Sequence, residues 1–224
     1  MSTEPFRETQ ARKRGGMFAV VRETLIVIGL ALVLSLLIKT FLVQAFSIPS
    51  GSMEDTLLVG DRVLVSKLTP GAFSLRHGDV VVFEDPNHWL GDVPPEPDAG
   101  PVQHGIHQGL VFVGLLPADS DQHLIKRVIG LPGDHVVWHP AQGKITVNGV
   151  PLNEPYLFPG NAPGDTRDFD VIVPEGRLWV MGDHREDSAD SRAHMQDHLG
   201  TVPIDKVTGR AFSIVWPVDR FRWL

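Results

Sequence analysis

Two hydrophobic rhythms divide the chain. Residues 25–38 read LIVIGLALVLSLLI, with no charge and only Ser35 as a polar break; Lys39 interrupts, and TFLVQAF carries the run to Phe46. As a helix rising about 1.5 Å per residue, Thr24 to Phe46 is long enough to cross a hydrocarbon core of about 30 Å. A core helix would carry a polar stripe. The apolar core of a cleaved signal sequence stops after about 7–15 residues at a small-residue cleavage pattern. Neither feature is present, so the pattern predicts a retained membrane anchor over 24–46, with a tail over 1–23 and Lys39 reaching back to the interface.

Beyond residue 46 the apolar residues come in short, alternating or β-branched runs. RVLVSKL (62–68), DVVVFED (79–85), GLVFVGLL (109–116), HLIKRVIGL (123–131), HVVWH (135–139), KITV (144–147), FDVIV (169–173), RLWVMGD (177–183) and RAFSIVWP (210–217) predict strands separated by Gly, Pro and Asp. Asn148-Gly149 between KITV and VPL predicts a type I′ hairpin. Only 185–200 has room for a helical turn or two. Residues 86–108 hold five Pro and three Gly in 23 positions and read as a surface loop or insertion, inert or else used in partner contact, rather than a central strand. Residues 47–224 are therefore expected to form one β-rich domain. Trp216, Phe221 and Trp223 read as core or C-terminal tail rather than as bilayer contacts.

Charge orients this arrangement. The first 46 residues carry six basic and three acidic side chains, which leaves 14 basic and 24 acidic in the rest. Basic flanks stay cytoplasmic, so the N-terminus is expected inside a plasma membrane crossed once, with the acidic domain outside. The overall charge of −7 argues against a nucleic-acid partner. The chain has no cysteine, which excludes disulfides, thiolate metal sites and a cysteine nucleophile.

Three segments carry candidate chemistry. Ser50-Gly51-Ser52-Met53, just after the apolar run, could present a hydroxyl on a tight turn, although Ser-Gly-Ser is also an ordinary loop sequence. In the strand Ile125-Lys126-Arg127-Val128, alternation puts Leu124, Lys126 and Val128 on one face and Ile125, Arg127 and Ile129 on the other, so one of the two basic residues is expected to point inward. A buried lysine loses its proton readily and then serves as a base; a solvated edge strand is the plainer alternative. Gly182-Asp183-His184-Arg185-Glu186-Asp187-Ser188-Ala189-Asp190-Ser191-Arg192 is either a solvated charged turn or a loop pinned by its own ion pairs. A serine nucleophile needs a base. Of the ten histidines, His88, His104 and His107 lie in the insertion, a poor place for one. A Ser-Lys dyad is a known variant of the serine triad.

In order along the chain, the anchor, PSGSM, GDRVLV, RHGDVVVF, KRVIGLPGD and GDHREDSADSR resemble the bacterial type I signal peptidases, membrane-bound serine proteases that remove signal peptides from exported proteins. The resemblance implies a mainly β fold: a single transmembrane helix, then an extracytoplasmic catalytic domain of antiparallel sheets with a partly open barrel. It implies Ser52 as nucleophile and Lys126 as general base. Ser50 and the Ser52 N–H become the oxyanion donors, and Ser188 orients the lysine amine. Arg127, Asp183, Asp190 and Arg192 become an ionic brace. Phe46, Ile48, Met53, Leu57, Val63, Leu124 and Ile125 line pockets for the small residues of an Ala-x-Ala cleavage motif. Signal peptides of secreted preproteins and the lipid bilayer are the implied partners, with transient contact with the export machinery a further expectation; no cofactor and no metal are expected. The chain departs from the family pattern at Glu54-Asp55, where Pro often precedes Thr-Leu, and at His184, Glu186 and Asp187.

Other readings compete. A membrane-anchored binding domain would make Ser52 and Lys126 structural. A self-cleaving Ser-Lys regulator would be soluble and carry a DNA-binding module. A histidine metal site would use His194 and His198 or His104 and His107, yet neither pair has the Glu of a zinc-protease motif.

Overall fold

The computed structural model describes residues 5–91, 122–164, 168–196 and 198–224. The chain divides into two units, Met1–Thr40 and Phe41–Leu224. The first is dominated by one helix, α1 (Pro5–Phe41). Its stretch Ala19–Ile38 is long and apolar enough to cross a membrane. Leu25, Ile28, Leu32 and Val33 all stay exposed on it, which is not how a soluble core helix treats such residues.

The second unit is built of strands: β1 (Val43–Ser47), β2 (Arg62–Ser66), β3 (Val80–Glu84), β4 (His123–Gly130), β5 (His135–Trp138), β6 (Thr146–Val147), β7 (Val150–Pro151), β8 (Phe169–Ile172), β9 (Arg177–Met181), β10 (Val202–Pro203), β11 (Val207–Trp216) and β12 (Arg222–Trp223). The larger sheet runs β1-β2-β11-β3-β4-β9-β10, with β12 against β11, and the smaller runs β7-β6-β5-β8. Every pairing is antiparallel. The larger sheet ends at β1 and β10 and does not close into a barrel.

The predicted hairpin forms between β6 and β7 with Asn148 at φ 53° and Gly149 at φ 78°, the positive values a type I′ turn requires. From sequence the membrane span runs to Phe46; in the structure α1 ends at Phe41, and Val43–Ser47 pairs with β2 instead. The apolar run is continuous because a half-buried strand follows a helix, and hydrophobicity alone does not separate the two. The strand expected at 109–116 and residues 92–108 of the insertion lie outside the described residues. Among the described residues of 185–200, only two short 3-10 turns are regular, Arg185–Asp187 and His198–Gly200. Trp216, Phe221 and Trp223 are exposed rather than core.

Apolar clusters cover both faces at the centre of the larger sheet. Val80, Val82 and Ile125 pack with Phe46, Met53, Leu57, Val63 and Val65. Val81, Phe83, Leu124 and Val128 pack with Leu178 and Val180. The alternation of β4 is therefore as predicted, but it has no solvent side. Sequence alone turns one of Lys126 and Arg127 inward, whereas the structure buries both, at 4% and 8% exposure.

Candidate active site

Ser52 sits on a single 3-10 turn, Gly51–Met53, between β1 and β2. Met53 and Leu57 anchor the turn in the apolar cluster below it, and Leu57 N–H donates to Met53 O at 2.8 Å. From the other side His184 N–H donates to Ser52 O at 3.1 Å. Gly182 leaves the room for this approach: a Cβ there would lie 2.4 Å from Ser52 O and 2.6 Å from Ser188 Cβ, distances no side chain tolerates. The serine is buried with its hydroxyl side on a cleft, and Ser50 Oγ stands 3.4 Å from Ser52 Oγ.

Lys126 reaches the same point from the middle of β4, where it pairs with Val81 of β3. Its Nζ lies 2.5 Å from Ser52 Oγ. Burial penalises the ammonium and pushes the pKa down to about 8, against the pull of the Asp190 and Asp183 carboxylates in the other direction. The arrangement thus supplies a hydroxyl touching an amine that loses its proton near neutral pH.

The charges behind the pair are matched in ion pairs, with Arg192 Nη1 left buried without a hydrogen-bond partner. Arg127 makes a two-point contact with Asp183, Nε to Oδ1 at 2.7 Å and Nη2 to Oδ2 at 2.5 Å. It also donates to Gly78 O at 2.7 Å and lies 3.9 Å over the Tyr156 ring. Thr56 Oγ1 donates to Asp183 Oδ2. Asp190, fully buried, accepts from Gly182 N–H, Ser188 Oγ–H and the Arg192 guanidinium. Burial alone pushes this carboxyl up; its contacts with Arg192, Gly182 and Ser188 outweigh that and hold it below the usual carboxylate range. Ser188 is thereby tied to Asp190, and it lines the cleft together with Ser52 and Lys126.

The cleft has a volume of about 680 Å³. Among the residues expected to line substrate pockets, Leu124 and Ile125 do line it. Phe46, Ile48, Met53, Leu57 and Val63 sit in the apolar cluster at 2% exposure or less. The structure therefore brings Ser50, Ser52, Lys126, Ser188, Leu124 and Ile125 to one cleft and sets the Arg127–Asp183 and Asp190–Arg192 pairs behind it. Among the described residues, no three His, Asp or Glu side chains are gathered as a metal site would require.

Residues 21–216 match the family model described as signal peptidase, peptidase S26. The chain belongs to this family. Signal peptidase I of Mycobacterium tuberculosis is 39% identical over 222 residues, covering 91% of this chain and 75% of the relative. The probable signal peptidase I of Mycobacterium leprae is 37% identical, covering 95% and 81%. Signal peptidase I of Bacillus licheniformis is 29% identical, covering 96% and 97%.

For a signal peptidase family member, the site holds residues that sequence reasoning missed. Trp89, Leu90 and His123 line the cleft. Trp89 and Leu90 were hidden because they open a segment whose composition reads as an inert loop. Two departures from the family pattern, 130 positions apart, meet under the serine turn: His184 Nδ1 lies 3.4 Å from Glu54 Oε2, and the His184 ring stacks on Phe158 at 4.1 Å. Glu186 and Asp187, two further departures, line the cleft.

Proposed function

We propose that the chain is a serine endopeptidase that removes N-terminal signal peptides from exported preproteins, cutting after small residues in an Ala-x-Ala pattern. The observation that carries this is the 2.5 Å contact between Ser52 Oγ and the buried Lys126 Nζ, in a chain of the signal peptidase family.

Ser52 Oγ attacks the scissile carbonyl while the neutral Lys126 amine takes the hydroxyl proton. The ammonium then passes that proton to the departing amine, leaving an ester on Ser52. Water, deprotonated by the same amine, hydrolyses the ester and frees the serine. Ser50 Oγ–H and the Ser52 N–H stabilise the oxyanion; removing one such donor typically costs about 10²–10³ in rate. Ser188 holds the lysine amine in register, and the two buried ion pairs keep the loop carrying it in place. The substrate binds extended, adding a strand along the cleft.

Helix α1 acts as a single-pass anchor with its N-terminus in the cytoplasm and the β domain outside, and the domain meets its substrates where they leave the export machinery. The length and apolar character of Ala19–Ile38 support this, as do the basic residues before it. The test is cleavage of a model preprotein by the purified full chain. Ser52→Ala and Lys126→Ala are each expected to abolish cleavage with the fold retained, and near wild-type activity in Lys126→Ala would remove the dyad.

A further inference from the structure

Two alanine side chains occupy little of a cleft of about 680 Å³. The rest of its wall includes a feature that the reaction does not use. Directly after β3, the carboxylate of Asp85 accepts the backbone N–H groups of Asn87, Trp89 and Leu90 at 3.2, 2.7 and 3.0 Å, winding DPNHWL into a fixed turn. The turn drives the Trp89 indole to 7% exposure. One face stacks on His194 at 4.4 Å with the planes 7° apart, and the ring meets the edge of Phe83 at 6.1 Å and 88°. Trp89 is thus held by the Asp85 carboxylate, His194 and Phe83. Leu90 follows it at 41% exposure, a large apolar side chain left uncovered at the cleft that holds Ser52 and Lys126.

We infer that Trp89 and Leu90 set substrate preference by receiving a bulky apolar side chain of the preprotein, at a position outside the Ala-x-Ala motif. The inference rests on the peptidase reading. Leu90 loses its remaining water when such a side chain docks, which favours apolar over polar residues there. Pro49, Leu124 and Ile125 also line the cleft, as do the acidic Glu186 and Asp187. The peptide position that faces Trp89 and Leu90 is expected to respond to apolar bulk, and positions elsewhere along an extended peptide are not.

The test uses the detergent-solubilised full chain and a peptide series that keeps Ala-x-Ala while each flanking residue in turn is Ala or Leu. One position is expected at which Leu raises kcat/KM by about tenfold, the size of discrimination an apolar pocket provides. In Leu90→Ser, a change at an exposed site, that preference is expected to fall towards unity. Trp89→Ala, checked for its thermal unfolding, is expected to do the same. A wild-type protein with no position-dependent preference overturns the inference alone, as does a Leu90→Ser variant slowed equally on all peptides. A wild-type protein that cuts none of the series overturns the peptidase reading and this inference with it.

Discussion

Lys126→Met is expected to inactivate the protein and stabilise it at neutral pH. The lysine pKa is about 8 in the folded chain against 10.5 for the free side chain. The folded pKa is the lower one, so the unfolded chain binds the extra proton between these values, and stability rises with pH across that window. Below about pH 8 the full cost of about 3 kcal/mol is present. At about pH 10 less than about 1 kcal/mol of it remains. Methionine has a similar length and no charge, and it forfeits only the contact with Ser52, worth about 1 kcal/mol. The expected net gain is about 2 kcal/mol near pH 7, vanishing by about pH 10. Urea unfolding of both proteins at several pH values measures it. A variant less stable than wild type at about pH 6, or a difference that does not shrink with rising pH, would refute the reasoning.

The same group sets the pH dependence of cleavage: kcat/KM is expected to fall about tenfold per unit as pH drops below about 8. A rate that stays level from about pH 8 to about pH 5 would exclude the amine as base. Gly182→Ala puts a methyl group against Ser52 O and Ser188, so it should displace Ser52, cost about a hundredfold in kcat and lower stability by about 1–3 kcal/mol. Activity within twofold of wild type would show that the close approach is not needed.

Ser52 and Lys126 were weak candidates taken singly, an ordinary Ser-Gly-Ser loop and a basic pair that could have been solvated; the order of the motifs along the chain singled them out, and the structure sets their side chains 2.5 Å apart. The hairpin at Asn148-Gly149 was legible because few residues adopt positive φ twice in succession. The boundary between α1 and β1 was not, since LVQAF is equally apolar as helix or strand. Nor was the burial of Arg127 beside Lys126: alternation assigns faces, but whether both faces are covered depends on β9 and the Ser52 turn, elements far away in the chain. Trp89 was lost for a related reason. Pro and Gly around it announce a loop, and only the Asp85 carboxylate, satisfying three N–H groups, makes that loop rigid.

Lys126 is rooted in a strand paired on both sides, while Ser52 rides on a single turn. The two members of the proposed dyad therefore belong to regions of different local stability. Opening a strand at the centre of a sheet takes close to the full unfolding free energy, whereas a turn fluctuates at far lower cost. The amide of Lys126 should be among the slowest in the chain to exchange with solvent and that of Gly51 among the faster. A ligand that tunes the site without unfolding it is then expected to act through the Ser52 turn, because Lys126 is as immobile as the fold itself.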